Sequence, residues 1–456
     1  MISVKNATVI KSGLKLFENL NLEIESTKNY LITGPNGGGK TILLELLAGH
    51  IHASSGEINY DFLEGDTWEE RYWDRRRKVQ LISTHATEKL IPATGDIYYQ
   101  QRYYKIENDE TTRVKDVLGA GIKNLSDTFP PSLHIESLLD IEVNRLSNGQ
   151  LKKVLLLQTL LKQKPHILLL DYPFEGLDIV SRQELCNFID FISKEFSMQI
   201  ILADHHAQLP QVINKRIDVV DFSIQHTDLA IPVSNKHQPE LAAKSSSTPV
   251  VEMKNLKIQY GDKVILENFD WIIKQGERWA LLGKNGSGKT TVFSLIFADH
   301  PMAYREEIYL FGKRRGTGES IWDIKKRITY LGPELISFLN PHTITTSARN
   351  YIITQTRTTN LENLKSLITY FECATYIDKP VKNLSSGQLQ MLMILISFME
   401  EKELLLLDEP FQFLDIRQKE LLSKYLQQHL HEKTTLILIT HYEQDIENWT
   451  SLRKQI

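Results

Sequence analysis

A chain of 456 residues with 41% hydrophobic and 24% charged content has the make-up of a soluble globular protein of two or three domains. Its formal net charge of −4 gives neither the global basic field of a general nucleic-acid binder nor the acidic excess of a disordered chain. Two cysteines, Cys186 and Cys373, lie far apart and outside any C-x-x-C spacing. They exclude a disulfide framework or cysteine metal cluster and read as small buried hydrophobes in a reducing compartment.

The chain opens on Met1-Ile2-Ser3-Val4-Lys5, a strand-like pattern rather than an apolar leader, and its longest apolar run, 391–396, is far short of the ~20 residues a membrane helix needs. Short strands are expected first, leading into Gly34-Pro35-Asn36-Gly37-Gly38-Gly39-Lys40-Thr41. This is a G-x-x-x-x-G-K-[ST] phosphate loop: glycines let successive N–H groups turn inward onto phosphate oxygens, and a following helix adds its positive end. Residues 94–142 read as a mainly helical insertion carrying the cluster Tyr98-Tyr99-Gln100-Gln101-Arg102-Tyr103-Tyr104. Those rings either pack on the core or mark a partner or nucleic-acid surface. Next come Leu146-Ser147-Asn148-Gly149-Gln150, the apolar run His166-Ile167-Leu168-Leu169-Leu170 ending in Asp171, then Gly176-Leu177-Asp178, and the strand Ile200-Ile201-Leu202 leading to His205. The apolar runs predict buried parallel strands that deliver a carboxylate at their C-terminal ends.

Residues 225–249, rich in Ser, Pro and polar side chains, read as a flexible linker. Beyond it the pattern repeats. Trp279-Ala280-Leu281-Leu282 predicts a buried strand before Gly283-Lys284-Asn285-Gly286-Ser287-Gly288-Lys289-Thr290, and Thr291-Val292-Phe293-Ser294-Leu295-Ile296 a helix after it. The offset 289 − 40 = 249 also maps Lys254-Asn255 onto Lys5-Asn6 and Glu267-Asn268 onto Glu18-Asn19, so the chain is a tandem duplication. Lys313, Arg314 and Arg315 read as a solvated basic loop. Leu384-Ser385-Ser386-Gly387-Gln388, the run Leu404-Leu405-Leu406-Leu407 ending in Asp408, Phe413-Leu414-Asp415, and Leu436-Ile437-Leu438-Ile439 leading to His441 complete the second set. The histidines fall at matching distances from the aspartates, 205 − 171 = 34 and 441 − 408 = 33, which favours a shared role over chance placement.

Two phosphate loops, each followed by L-S-x-G-Q just before an Asp-ending strand, resemble the ATP-binding-cassette (ABC) ATPases over nearly the whole chain. The segment from Phe311 to Lys326 is similar to the second cassette of the twin-cassette ModF subgroup, associated with molybdate transport and also labelled photorepair proteins. The resemblance implies an α/β fold of two tandem P-loop NTPase (ABC-type) domains, 1–224 and 250–456. Each would have a core of mainly parallel sheet, a small antiparallel β region and a helical subdomain. It implies ATP and Mg²⁺ as ligands and two domains pairing head to tail within a monomer. Each ATP would then lie between one phosphate loop and the L-S-x-G-Q serine and glycine of the other half.

Carried onto this chain, the first site comprises Gly34, Asn36, Gly37, Gly39 and Lys40, with Thr41 and Asp171 for Mg²⁺, His205, and Ser385 and Gly387 across. The second comprises Gly283, Asn285, Gly286, Ser287, Gly288, Lys289 and Thr291, with Thr290 and Asp408 for Mg²⁺ and Tyr260 stacking on adenine. There the resemblance makes Glu409 the base that activates water and His441 a γ-phosphate contact, with Ser147 and Gly149 across. Asn148 replaces the usual first glycine, its bulk offset by tolerance of left-handed backbone. The first site departs from this pattern: Tyr172 follows the aspartate and Lys11 matches Tyr260. A phenol with pKa near 10 is a poor base, so the first site is expected to bind ATP and hydrolyse it slowly.

The glutamine that couples the family's sites to a membrane subunit has no match in either half; His85 and Glu334 are the nearest polar candidates. The leading expectation is a cytoplasmic ATPase, free or peripheral on the inner face of a membrane, energising a separate permease subunit. The alternative is a soluble ATPase acting on ribosomes or nucleic acid. The missing glutamines weigh against the first. The short linker and lack of iron–sulfur cysteines weigh against the ribosome-acting kinds.

Overall fold

The computed structural model describes residues 1–11, 14–83, 86, 112–119, 129–143, 146–205, 208–227, 248–260, 263–283, 286–297, 300–332, 335, 340–357, 360–440 and 452–456. The chain divides near residue 234 into two compact units. His85, Tyr98–Tyr104, His206, Lys284, Asn285, Glu334 and His441 lie outside the described residues, as do the side chains of Tyr260 and Lys263.

The first unit begins with two long strands, β1 (Ile2–Lys11) and β2 (Leu14–Ile24), rather than the short ones the sequence suggested. With β4 (Ser55–Tyr60) they form an antiparallel sheet in the order β2-β1-β4. The repeated Asn residues explain themselves here. Asn6 and Asn19 take φ of 48° and 50°, their counterparts Asn255 and Asn268 take 46° and 52°, and the β1–β2 register shifts between Val4 and Ala7. Asparagine is among the few non-glycine residues that tolerate this left-handed backbone, so the duplicated pairs mark bulges that twist both hairpins.

A second sheet orders β5-β6-β7-β3-β8-β9, from β3 (Tyr30–Thr33), β5 (Val79–Ile82), β6 (Ile167–Asp171), β7 (Gln199–Ala203), β8 (Lys215–Val220) and β9 (Ser223–Thr227). All neighbours are parallel except the β8–β9 hairpin. β9 continues to Thr227, so the first residues read as linker are strand. Among the described residues the helices are α1 (Lys40–Ala48), α2 (Trp68–Lys78), α3 (Val114–Leu118), α4 (Asn148–Gln163) and α5 (Ile179–Glu195). In the stretch read as a helical insertion, the described residues hold only α3 and two 3₁₀ turns, Pro131–Leu133 and Glu136–Leu138, closed by a bridge between Arg113 and Glu142.

The second unit repeats the plan. β10 (Pro249–Tyr260), β11 (Lys263–Lys274), β13 (Glu307–Leu310) and β14 (Lys313–Arg314) make the antiparallel sheet. β12 (Arg278–Leu282), β15 (Ile328–Leu331), β16 (Leu404–Asp408), β17 (Thr435–Ile439) and β18 (Leu452–Gln455) make a parallel sheet ordered β15-β16-β17-β12-β18. Its helices among the described residues are α6 (Lys289–Ile296), α7 (Ile321–Lys325), α8 (Ala348–Thr356), α9 (Leu361–Tyr370), α10 (Ser386–Phe398) and α11 (Ile416–Gln428). Lys313 and Arg314 are exposed as expected, but Arg315 is buried, its guanidinium 5.3 Å from the Tyr304 ring centre. Cys186 and Cys373 are free and buried. No helix among the described residues is long and apolar enough to cross a membrane.

Each parallel sheet is buried on both faces, which is why its strands read as unbroken apolar runs. Side chains alternate between the two faces. In β6, Ile167 and Leu169 join the core lined by Leu43, Leu44 and Leu47 of α1, whereas Leu168 and Leu170 join the core lined by α4 and α5. In β16, Leu404 and Leu406 meet Val292 and Phe293 of α6, and Leu405 and Leu407 face the opposite core with α10.

α2 is locked locally by a Thr67–Glu70 capping box and, at its far end, by Lys78 with Asp74 at 2.9 Å. Burial opposes ionisation of Asp74, but the Glu64 N–H, Lys78 and Arg77 outweigh it and hold the carboxyl down at about 2. Because this value lies below the ordinary 3.8, the stabilisation is complete above about pH 4 and is lost as pH falls through 2. Asp74→Asn is therefore expected to lower unfolding free energy by about 1 kcal/mol at pH 7, allowing for the solvation of this pair, and by almost nothing near pH 2. Urea denaturation at the two pH values checks it.

Candidate functional site

The site grows from the C-terminal ends of the parallel strands. β3 runs into the first phosphate loop and β12 into the second, and the apolar residues of these strands are committed to the cores. In the first loop the chain passes so close to β8 that a Cβ on Gly34 would lie 2.0 Å from the Val219 carbonyl oxygen, at φ +136°. The loop is also held by the Phe222 N–H donating to the Gly38 carbonyl at 2.9 Å. Gly39 caps α1 at φ 110° and Gly288 caps α6 at φ 100°, and neither helix has a side-chain cap. By contrast α4, α5, α10 and α11 are all capped by a Ser or Asp side chain. The first-turn N–H groups of α1 and α6 are thus left for an anion, where the helix dipole favours negative charge.

Lys40 is buried and its Nζ donates to the Gly34 and Pro35 carbonyls, each at 2.7 Å; Lys289 is equally sequestered and donates to Gly283 at 2.7 Å. An ammonium held by carbonyls inside a glycine loop is a cation ready for a phosphate. Ser287 Oγ is buried with no hydrogen-bond partner among the described residues.

The odd–even alternation of β6 places Asp171 on the α1 face, and Thr41 Oγ1 donates to it at 3.1 Å from both carboxylate oxygens. Thr290 Oγ1 lies 2.9 Å from Asp408 Oδ2. Burial pushes the Asp171 carboxyl up to about 6 against the pull of Thr41 and Lys40. A hydroxyl and a buried carboxylate are hard oxygen donors of the kind Mg²⁺ takes while keeping water and phosphate ligands, and a divalent cation favours the ionised carboxylate. The residues therefore fit Mg²⁺.

The residue after each aspartate adopts the same uncommon backbone. Tyr172 has φ 50° and its N–H donates to Ala203 at 2.9 Å; Glu409 has φ 51° and its N–H donates to Ile439 at 2.9 Å. A bulky residue held left-handed costs on the order of 1–2 kcal/mol and belongs to a site whose surroundings over-determine it. In the first unit the Tyr172 hydroxyl lies 3.0 Å from His205 Nε2, which is 3.2 Å from Asn36 Oδ1, so one network ties the phosphate loop to the ends of β6 and β7. In the second unit Glu409 Oε1 is withdrawn from solvent.

Ser147 and Ser385 are N-caps of α4 and α10, in capping boxes with Gln150 and Gln388. The Ser and Gln of each L-S-x-G-Q run therefore hold the helix start, and a Cβ on Gly149 would come within 3.0 Å of Ser181. Asn148 is helical and exposed, so its tolerance of left-handed backbone is not called upon. Lys11, which matches Tyr260, is paired with Glu45 of α1 at 2.8 Å.

Two residues were missed in the sequence. Lys152 donates to the Pro173 and Glu175 carbonyls at 2.8 and 2.6 Å, and Gln390 donates to Pro410 at 3.1 Å; each ties the L-S-x-G-Q helix to the turn after the aspartate. Burial lowers the Lys152 ammonium to about 8. They correspond at 390 − 152 = 238, the offset of the serines, 385 − 147 = 238, rather than 249. The repeat offset shortens between the phosphate loops and these helices, and at the shorter offset the two residues pair.

With this geometry in hand, the family model described as ABC transporter matches residues 17–175 and 266–412. The chain belongs to the ABC transporter family. An uncharacterized ABC transporter ATP-binding protein of Schizosaccharomyces pombe is 29% identical over 100% of this chain and 97% of its own length. The ABC transporter ATP-binding protein ModF of Escherichia coli is 26% identical over 97% and 94%. Among solved structures, a chain from ribosome-bound archaeal Pelota and ABCE1 superposes with a TM-score of 0.62 at 20% identity, covering 98% of this chain and 75% of that one, which bears on fold alone. The ABC-type domains are ATPase domains, and the fold binds ATP.

Gly34→Ala is expected to unseat the first loop of this ABC protein, because backbone rather than a movable side chain occupies the space. A loss of about 3 kcal/mol in the first unit is expected from chemical denaturation, with the second unit's transition unchanged.

Proposed function

We propose that the chain is an asymmetric twin ATPase. The second site, built on Lys289, Thr290, Asp408 and Glu409, turns over; the first, built on Lys40, Thr41, Asp171 and Tyr172, holds ATP and hydrolyses it slowly. The observation that carries this reading is the shared backbone pose of Tyr172 and Glu409. Where the backbone is the same, the side chain decides. A carboxylate can take a proton from an attacking water at neutral pH, whereas a phenol is a poor base, and this one is engaged with His205.

In the second site Glu409 orients and deprotonates the water, while Lys289 and the N–H groups of Gly286, Ser287 and Gly288 hold the phosphates. Asn285 and Thr291 complete the cradle, His441 contacts the γ-phosphate and Tyr260 stacks on adenine. Thr290 and Asp408 would hold Mg²⁺, which when bound supplies positive charge to the phosphate oxygens. Ser147 and Gly149 are assigned to this nucleotide, and Ser385 and Gly387 with His205 to the one on the first loop, as the family resemblance implies. Lys11, bound to Glu45, offers no ring to adenine, which fits the weaker role of the first site.

Steady-state ATP turnover checks the assignment. Glu409→Gln is expected to lower kcat by about 10²–10⁴-fold, whereas Tyr172→Phe should leave it within about two-fold, since it removes no base. Retention of most activity by Glu409→Gln would overturn the assignment.

The cycle of closing and opening is handed to a separate partner. The name of the ModF relative, an ABC transporter ATP-binding protein, supports a membrane transport subunit. The exposed aromatic and arginine face of α2 favours a second reading, an ATPase acting on ribosomes or nucleic acid. Affinity purification from native membranes separates them. The transport reading expects an integral membrane protein to co-purify; ribosomal proteins without one would overturn it.

A further inference from the structure

We propose that α2 and the groove beside it form a stacking platform for single-stranded nucleic acid, independent of the nucleotide sites. Of the eleven residues of α2, eight are charged and the other three are Trp68, Tyr72 and Trp73, so the helix has no aliphatic residue to bury. Trp68 is 75% exposed and Trp73 68%. Single exposed apolar residues are ordinary, but two tryptophans and a tyrosine on one helix form a patch.

The rings are already ordered. Trp68 stacks on Tyr72 at 5.4 Å and 23°, and Tyr72 meets Trp73 edge-on at 5.3 Å and 82°. The Arg76 guanidinium lies 5.8 Å from the Tyr72 ring centre and donates to the Tyr72 hydroxyl at 3.0 Å. Arg75 sits 5.6 Å from Tyr72 and 5.7 Å from Tyr60, and its Nε is buried with no hydrogen-bond partner among the described residues. A groove of about 740 Å³ opens beside this ladder, lined in part by His52, Tyr60, Trp68, Arg71, Tyr72 and Arg75.

Charge separates this face from an ordinary salt-bridged helix. Glu70 is consumed by the capping box, and Asp74 is held by Arg77 and Lys78, with Glu64 also on Lys78. Arg71, Arg75 and Arg76 have no carboxylate partner among the described residues, leaving Asp66 and Glu69 as the remaining acids of the face. An obligate subunit interface or the acyl region of a bilayer would reward aliphatic surface, which α2 lacks. Planar π-faces beside guanidinium groups are what bases and phosphates require.

The second unit shows which part matters. Trp322 of α7 sits at the same offset, 322 − 73 = 249, and is 73% exposed. There Ser320 and Ile324 stand at that offset from Arg71 and Arg75, and the neighbouring cations are engaged: Arg327 pairs with Glu403 at 2.6 Å, Lys326 with Asp323 at 3.6 Å, and Lys325 lies 4.5 Å from the Phe297 ring centre. The platform therefore belongs to the first unit.

Fluorescence anisotropy of the full chain with labelled oligouridylate and oligodeoxythymidylate tests this, with phosphatidylserine vesicles as a third probe. Binding to one or both oligonucleotides is expected, and the arm that binds more tightly identifies RNA or DNA as the source. Trp68→Leu with Trp73→Leu, which keeps apolar area but removes the rings, should weaken binding about ten-fold or more, while the Phe pair retains most of it. Arg71→Gln with Arg76→Gln should flatten the salt dependence by roughly 1.4 in log–log slope, about 0.7 for each phosphate that is no longer neutralised. Unchanged ATP turnover in these variants reports intact folding. Absence of oligonucleotide binding, binding that ignores the Leu pair, or binding to vesicles alone would each overturn the proposal.

Discussion

The hydrogen bond between the hydroxyl at the start of the loop helix and the aspartate at the end of the neighbouring apolar strand organises each unit. It exists because side chains on a strand alternate. Ile167 and Leu169 anchor one face of β6 on α1, and Asp171, two residues on, must emerge on that face beside Thr41. The same parity brings Asp408 to Thr290. A one-residue slip would send both carboxylates to the opposite core, so the buried leucines act as the ruler that positions the polar pair.

From that fixed point the asymmetry of the halves follows. The strand ends, the chain turns left-handed, and the next side chain is Tyr172 in one unit and Glu409 in the other, on the same backbone setting. Duplication preserved the turn, the hydrogen bond beneath it and the capped helices that carry Ser147 and Ser385, and altered the group that turn presents. Lys152 and Gln390 show the same economy: different side chains, each donating to carbonyls of that turn. What varies between the units is chemistry at shared positions of the scaffold.

Surface features diverge more freely, because a solvated residue is not constrained by packing. Trp73 and Trp322 share a place in the duplicated plan, yet only the first stands among arginines without carboxylate partners among the described residues. The overall charge of −4 conceals this, since whole-chain charge averages over local pairing.

Much of the fold was legible in the residues themselves. Two phosphate loops, two unbroken apolar runs ending in aspartate and a 249-residue offset specify parallel sheets with their polar residues at one end, because these patterns depend on spacing along the chain. The length of β1 and β2, the bulge role of Asn6 and Asn255, the burial of Arg315 and the helical setting of Asn148 emerged only with the tertiary structure. So did the Tyr172–His205–Asn36 network and the carbonyl contacts of Lys152. The sequence by itself determined which groups each half possesses. Which of them meet was decided by pairing across distant strands and by burial, which no local spacing encodes.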